Sequence, residues 1–97
     1  MTKGYWVANI EVEDADAYEG YRAANAEAFK KYGAKFLVRG GDQKVVEGQM
    51  FSRTVVLEFD SYEQAVACYE SPEYQAAIKL RSGASHGTVA IVKGYAG

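Results

Sequence analysis

Ala34-Lys35-Phe36-Leu37-Val38-Arg39-Gly40-Gly41 is the stretch on which the reading of this chain turns. A short β-favouring run, Lys35 to Val38, ends abruptly on an arginine and a pair of glycines. Two consecutive glycines admit positive φ, so the backbone can turn or bulge there without Cβ strain. Upstream the pattern reads as a strand and a helix. Downstream it reads as a return strand, a second helical segment and a last strand.

Working outward, Gly4 to Val12 is the first strand. Trp6, Ala8, Ile10 and Val12 alternate on one face, and Tyr5, Val7, Asn9 and Glu11 on the other. Both faces begin apolar, which is unusual for a strand with one side in water. Asp14 or Asp16 then caps a helix that runs to about Tyr32 and stops at Gly33. Its inward stripe is Tyr18, Tyr21, Asn25, Ala28, Phe29 and Tyr32, at three- and four-residue intervals. On the far side of the glycine pair, Lys44 to Gly48 reads as a weaker β segment in a protruding hairpin arm. Arg53 to Phe59 is a strong strand, apolar on both faces except for Glu58, a central-strand carboxylate that demands a partner across the strand or across a subunit interface. Ser61 with Gln64 is a capping-box signature. Ser71-Pro72 restarts the helix, with serine capping and proline in the first turn. Gly83 and Gly87 bracket a loop holding His86, and Thr88 to Tyr95 is the final strand.

Strand–helix–strand–strand–helix–strand with right-handed connections gives an α+β, ferredoxin-like βαββαβ domain spanning residues 1–97, with antiparallel sheet order 4-1-3-2 and helices on one face. Those helices cover one sheet face only. The second apolar face is therefore expected to meet a second copy of the chain, making a homodimer with two sheets packed face to face.

Composition narrows the functional classes. The 97 residues carry 13 acidic and 11 basic side chains, scattered so that no basic run offers a nucleic-acid or anionic-membrane surface. The strand order is shared with RNA-recognition motifs, but Arg53-Thr-Val-Val-Leu-Glu-Phe59 lacks their Lys/Arg-Gly-Phe pattern. No long apolar stretch marks a signal peptide or a membrane anchor. Cys68 is the single cysteine, so no intrachain disulfide forms and a cytoplasmic location is expected. One histidine and one cysteine do not supply a metal site, and no cofactor is expected.

The topology brings Arg39, Arg53, His86, Tyr18 and Tyr21 to one end of the molecule. Arg39, at a strand end beside glycines, suits a bidentate contact with a carboxylate or phosphate; the structural alternative is an ion pair with Glu11, Asp14 or the partner subunit. Tyr18, Tyr21 and Asn25 either complete the core or line a pocket between helix and sheet. His86 is a candidate base or ligand contact. Arg53 reads as an exposed strand-start charge.

Lys3-Gly4-Tyr5-Trp6, Tyr18 with Tyr21, Ala23, Ala24 and Asn25, Tyr32 to Gly41, Val46-Glu47-Gly48, Glu58-Phe59, Tyr69-Glu70-Ser71-Pro72-Glu73-Tyr74-Gln75 and Ile91-Val92-Lys93-Gly94 follow one another along nearly the whole chain. In these stretches it resembles the small bacterial domain-of-unknown-function family 1330, within the dimeric α+β barrel superfamily. The resemblance implies a homodimer with a barrel between two sheets and assigns no catalytic residue. The wider superfamily includes cofactor-free monooxygenases, haem-degrading enzymes and muconolactone-isomerase-like proteins, an analogy of fold alone. The functional expectation is a cytosolic homodimer that binds a small anionic or aromatic metabolite through Arg39, Tyr18, Tyr21, Asn25 and His86, and that acts on it without a cofactor if it is an enzyme. The alternative is a non-catalytic dimerisation or regulatory module whose helix–sheet space is filled by aromatic side chains.

Overall fold

A computed structural model describes residues 2–96. The elements run β1 (Gly4–Val12), α1 (Ala15–Lys31), β2 (Lys35–Arg39), β3 (Arg53–Phe59), α2 (Tyr62–Glu70), α3 (Pro72–Lys79) and β4 (Ser85–Lys93). The strands form one antiparallel sheet in the order β2-β3-β1-β4, the expected ferredoxin-like arrangement, with the second helix divided into α2 and α3.

Helix boundaries follow from local chemistry. Asp14 caps α1 by accepting from the Ala17 amide, and Gly33 leaves the helix at φ 70°, a left-handed conformation that favours glycine. Ser61 caps α2 through the Gln64 amide. The capping box is only half formed, because the Gln64 side chain donates to the carbonyl of Tyr32 at 2.8 Å and so ties α2 to the end of α1. Ser71 accepts from the Tyr74 amide and donates to the Cys68 carbonyl, which ends one helix and begins the next.

Trp6 is the hub of the core. It is 2% exposed, donates its indole N–H to the Ala65 carbonyl at 2.8 Å, and meets the rings of Phe29, Phe59, Tyr69 and Tyr74. Cys68 is fully buried beside the Ala28 carbonyl. Burial, reinforced by Glu73, pushes its thiol up to about 12. The thiolate is the reactive form. A thiol reagent at pH 8 is therefore expected to label Cys68 only as fast as the domain unfolds, in a reaction monitored against urea concentration. Prompt labelling of the native protein would show that the core opens locally.

Two expectations change. Residues 44–48 form no strand; the whole of 40–50 is exposed and irregular. The segment that follows is fastened instead by Asn9, whose amide donates to the Phe51 carbonyl at 3.1 Å and accepts from the Phe51 amide at 2.8 Å. His86 lies not in a loop but in β4, whose pairing with β1 begins at Ser85 opposite Val12. Glu58 is half-buried on the sheet face away from the helices and accepts from the hydroxyl of Tyr5, its cross-strand partner, at 3.3 Å. Among the described residues no helix is long and apolar enough to cross a membrane.

Candidate functional site

A hollow between α1 and the sheet arises from one row of small side chains. On the helix-facing side, Trp6 pairs with Leu57 and Ile91, and Ile10 with Arg53 and Gly87. Between those rows lies Ala8, flanked by Val55 and Val89, too short to reach the helix above. Helix α1 roofs this row with Tyr18, Tyr21 and Asn25, all buried. The enclosed space is about 40 Å³, inside about 510 Å³ of non-atom space that runs out to solvent. One water needs about 10–15 Å³ of such enclosed space, so the cleft admits a small functional group and widens toward solvent.

Arg39 enters this cleft because of a bulge. Phe36 pairs with Leu57, but the register then shifts so that Val38 faces Val56 and Arg39 faces Val55. In a regular strand, residues 36 and 39 would point to opposite faces. The extra residue puts both on the helix side, and the Arg39 guanidinium stacks 4.2 Å from the centre of the Phe36 ring. No ion pair forms with Glu11 or Asp14.

Arg53 differs most from expectation. It is half-buried and lines the cleft. The signal was present in its strand: Arg53, Val55, Leu57 and Phe59 share one parity, and the last two are core. Its guanidinium lies against Gly40, where an added Cβ would come within 2.3 Å of Nη1. Gly40 also sits at φ 69°. Gly40→Ala is therefore expected to cost about 1 kcal/mol in stability by urea denaturation, and to push Arg53 from its seat. An unchanged unfolding midpoint would contradict that reading of the glycine pair.

Arg81, from the turn after α3, lies 5.0 Å over the ring of Tyr21 and also lines the cleft. It continues the inward stripe of Tyr74, Ala77 and Ile78 by three residues. The Nε atoms of both Arg53 and Arg81 are buried with no hydrogen-bond partner among the described residues. The phenol oxygens of Tyr21 and Tyr74 are 2.6 Å apart at the closed end. Burial, then Tyr21, drives the Tyr74 phenol far above its ordinary range. Burial also raises Tyr18, and Tyr21 adds to it, against the opposing pull of Arg53 and Arg81.

Of the candidates read from sequence, Arg39, Tyr18, Tyr21 and Asn25 converge here. His86 does not join them. It faces the opposite side of the sheet, where Nδ1 contacts Glu13 and its ring meets the edge of Phe51 at 5.0 Å. Arg22 completes the lining and is bound to Glu19 at 2.7 Å. Among the described residues no group of three His, Cys, Asp or Glu side chains is placed to hold a metal.

A helix-roofed antiparallel sheet with a guanidinium-lined cleft between the layers defines a ferredoxin-like α+β protein. The chain belongs to the domain of unknown function family DUF1330, whose model matches residues 3–95. Among solved structures it is similar to a protein of unknown function from Rhodopseudomonas palustris, at 17% identity and TM-score 0.73, covering 95% of this chain and 80% of that one. It is also similar to the cofactor-independent oxygenase SnoaB from Streptomyces nogalater, at 10% identity and TM-score 0.64, covering 100% and 97%. A third is a dimeric ferredoxin-like protein of unknown function from Thermobifida fusca, at 17% identity and TM-score 0.60, covering 95% and 89%. At these identities the likeness concerns the fold. No curated protein matches.

Proposed function

We propose that this chain is a homodimeric cytoplasmic protein that binds a small anionic, aromatic metabolite in the cleft between α1 and the sheet. One observation carries the reading. Four arginines (22, 39, 53 and 81) line the cleft, no carboxylate does, and only Arg22 has a carboxylate partner among the described residues. Arg22, Arg53 and Arg81 are half-buried and Arg39 is exposed; a half-buried guanidinium loses hydration, which an anion restores through charge-assisted hydrogen bonds. The surrounding rings of Trp6, Phe36, Tyr18 and Tyr21 suit a flat body. Cations and raised phenols hold and orient an anion; neither is a general base near neutral pH. The reading is therefore binding first.

The dimer is supported by the uncovered sheet face, where Val7, Val38 and Val92 are 40%, 41% and 46% exposed. Sedimentation at micromolar concentration is expected to give about twice the 10.6 kDa chain mass, and Val7→Lys to return a monomer.

A second reading, a non-catalytic dimerisation module, draws on the small closed volume of about 40 Å³. A thermal-shift screen of aromatic carboxylates separates the two. A ligand present at 100 times its dissociation constant adds about 2.7 kcal/mol, which for a domain this size raises the midpoint by about 10–20 °C. Loss of that shift in Arg39→Ala supports the cleft. A stable dimer that no anion shifts supports the module.

A further inference from the structure

We infer that the cleft selects a dicarboxylate with an aromatic or unsaturated body, one carboxylate seated inside between Arg53 and Arg81 and the second held at the mouth by Arg39. This deepens the proposed function and rests on it. Charge sets the number of anionic groups. Glu19 already engages Arg22, and Glu11, at the outer margin of the cleft, accepts from the amide and hydroxyl of Ser52. Arg39, Arg53 and Arg81 remain without a carboxylate among the described residues. A single carboxylate leaves two cations unmatched around one space, whereas a second brings the balance close to neutral.

Position sets the arrangement. Arg53 and Arg81 each present a buried Nε without a partner among the described residues, and both act on the Tyr18 phenol; Arg81 also lies over the ring of Tyr21, whose hydroxyl is bonded to that of Tyr74. One hydroxyl of that pair donates to the other, which keeps its own proton for an acceptor in the cleft. Arg39 stands opposite Val55, two residues along β3 from Arg53, on the same face. Such diagonal neighbours lie about 7–8 Å apart, so their long side chains address opposite ends of one small molecule. Shape sets the group. The space of about 40 Å³ takes the two oxygens of a carboxylate, and the rest of the same cleft, lined by Tyr18, Phe36 and Arg39 and running out to solvent, leaves room for the body.

Titration calorimetry of the full chain at low ionic strength with isophthalate, benzoate, phenyl phosphate and benzamide tests this. Isophthalate is expected to bind at least about tenfold tighter than benzoate, and benzamide not at all. Arg39→Gln is expected to reduce isophthalate to about the affinity of benzoate. Arg53→Gln and Arg81→Gln weaken both acids, with folding checked by Trp6 fluorescence. Equal affinity for benzoate and isophthalate overturns the dicarboxylate assignment and leaves the anion-binding function standing. Tighter binding of phenyl phosphate than of isophthalate overturns the carboxylate assignment in the same way. Benzamide binding as well as benzoate, or no binding by any acid, overturns both. The wild-type comparison decides even where a variant fails to fold.

Discussion

Trp6→Ala is expected to cost about 3–5 kcal/mol of stability, the range for deleting a large buried aromatic. The indole touches every layer of the core. It rises from β1, meets Phe29 of α1, Phe59 of β3, Tyr69 of α2 and Tyr74 of α3, and donates to the Ala65 carbonyl. With 2% exposure, it leaves a cavity bounded by rings from four other elements, and rings fixed by one another collapse poorly into a void. A domain of this size holds about 5–15 kcal/mol in total, so the variant retains a small margin or none. Each kcal/mol shifts the thermal midpoint by about 4–8 °C. Circular dichroism should therefore show a fall of well over 10 °C. A loss below about 1 kcal/mol would mean that the hub is packed elsewhere.

Ala8→Leu carries the largest expected effect on binding. Ala8 makes the hollow, because its short side chain lies between the taller rows of Trp6 and Ile10. Three added carbons occupy the closed end, where the space is about 40 Å³. Inserting carbons into a packed core costs about 1–3 kcal/mol, but here they enter a space already open, so the unfolding midpoint should fall by less than that. Ligand stabilisation, about 2.7 kcal/mol at a hundredfold excess over the dissociation constant in the parent chain, should vanish. The pairing of outcomes is diagnostic. A folded Ala8→Leu protein that still responds to aromatic carboxylates would place their site outside the cleft.

Much of the architecture was legible from local signals. Asp14, Gly33, Ser61 and Ser71-Pro72 mark helix ends because capping involves residues three or four apart. The stripe Tyr18, Tyr21, Asn25, Ala28, Phe29 and Tyr32 came from periodicity alone; the first five are buried and Tyr32, at the helix end, is half-buried. The site was only partly legible. The inward side of Arg53 follows from strand parity, although its place at the strand start reads as exposed; Arg81 lies in the turn beyond α3, where helical periodicity no longer assigns a side. His86 shares an end of the molecule with them and lies on the other face, a distinction that chain order does not make.

The amino-acid sequence by itself determined the element order and the buried stripes, which depend on neighbours within a turn or two and on alternation along a strand, and through the right-handedness of connections it determined the sheet order. Tertiary structure alone decided where Arg39 points. The shift between Phe36 and Val38 is settled by pairing with β3, a strand that begins fourteen residues after Arg39. It also decided that Ala8, Val55 and Val89 fall in one row and leave a hollow. A cleft built from positions that far apart in the chain exists only once the strands have aligned.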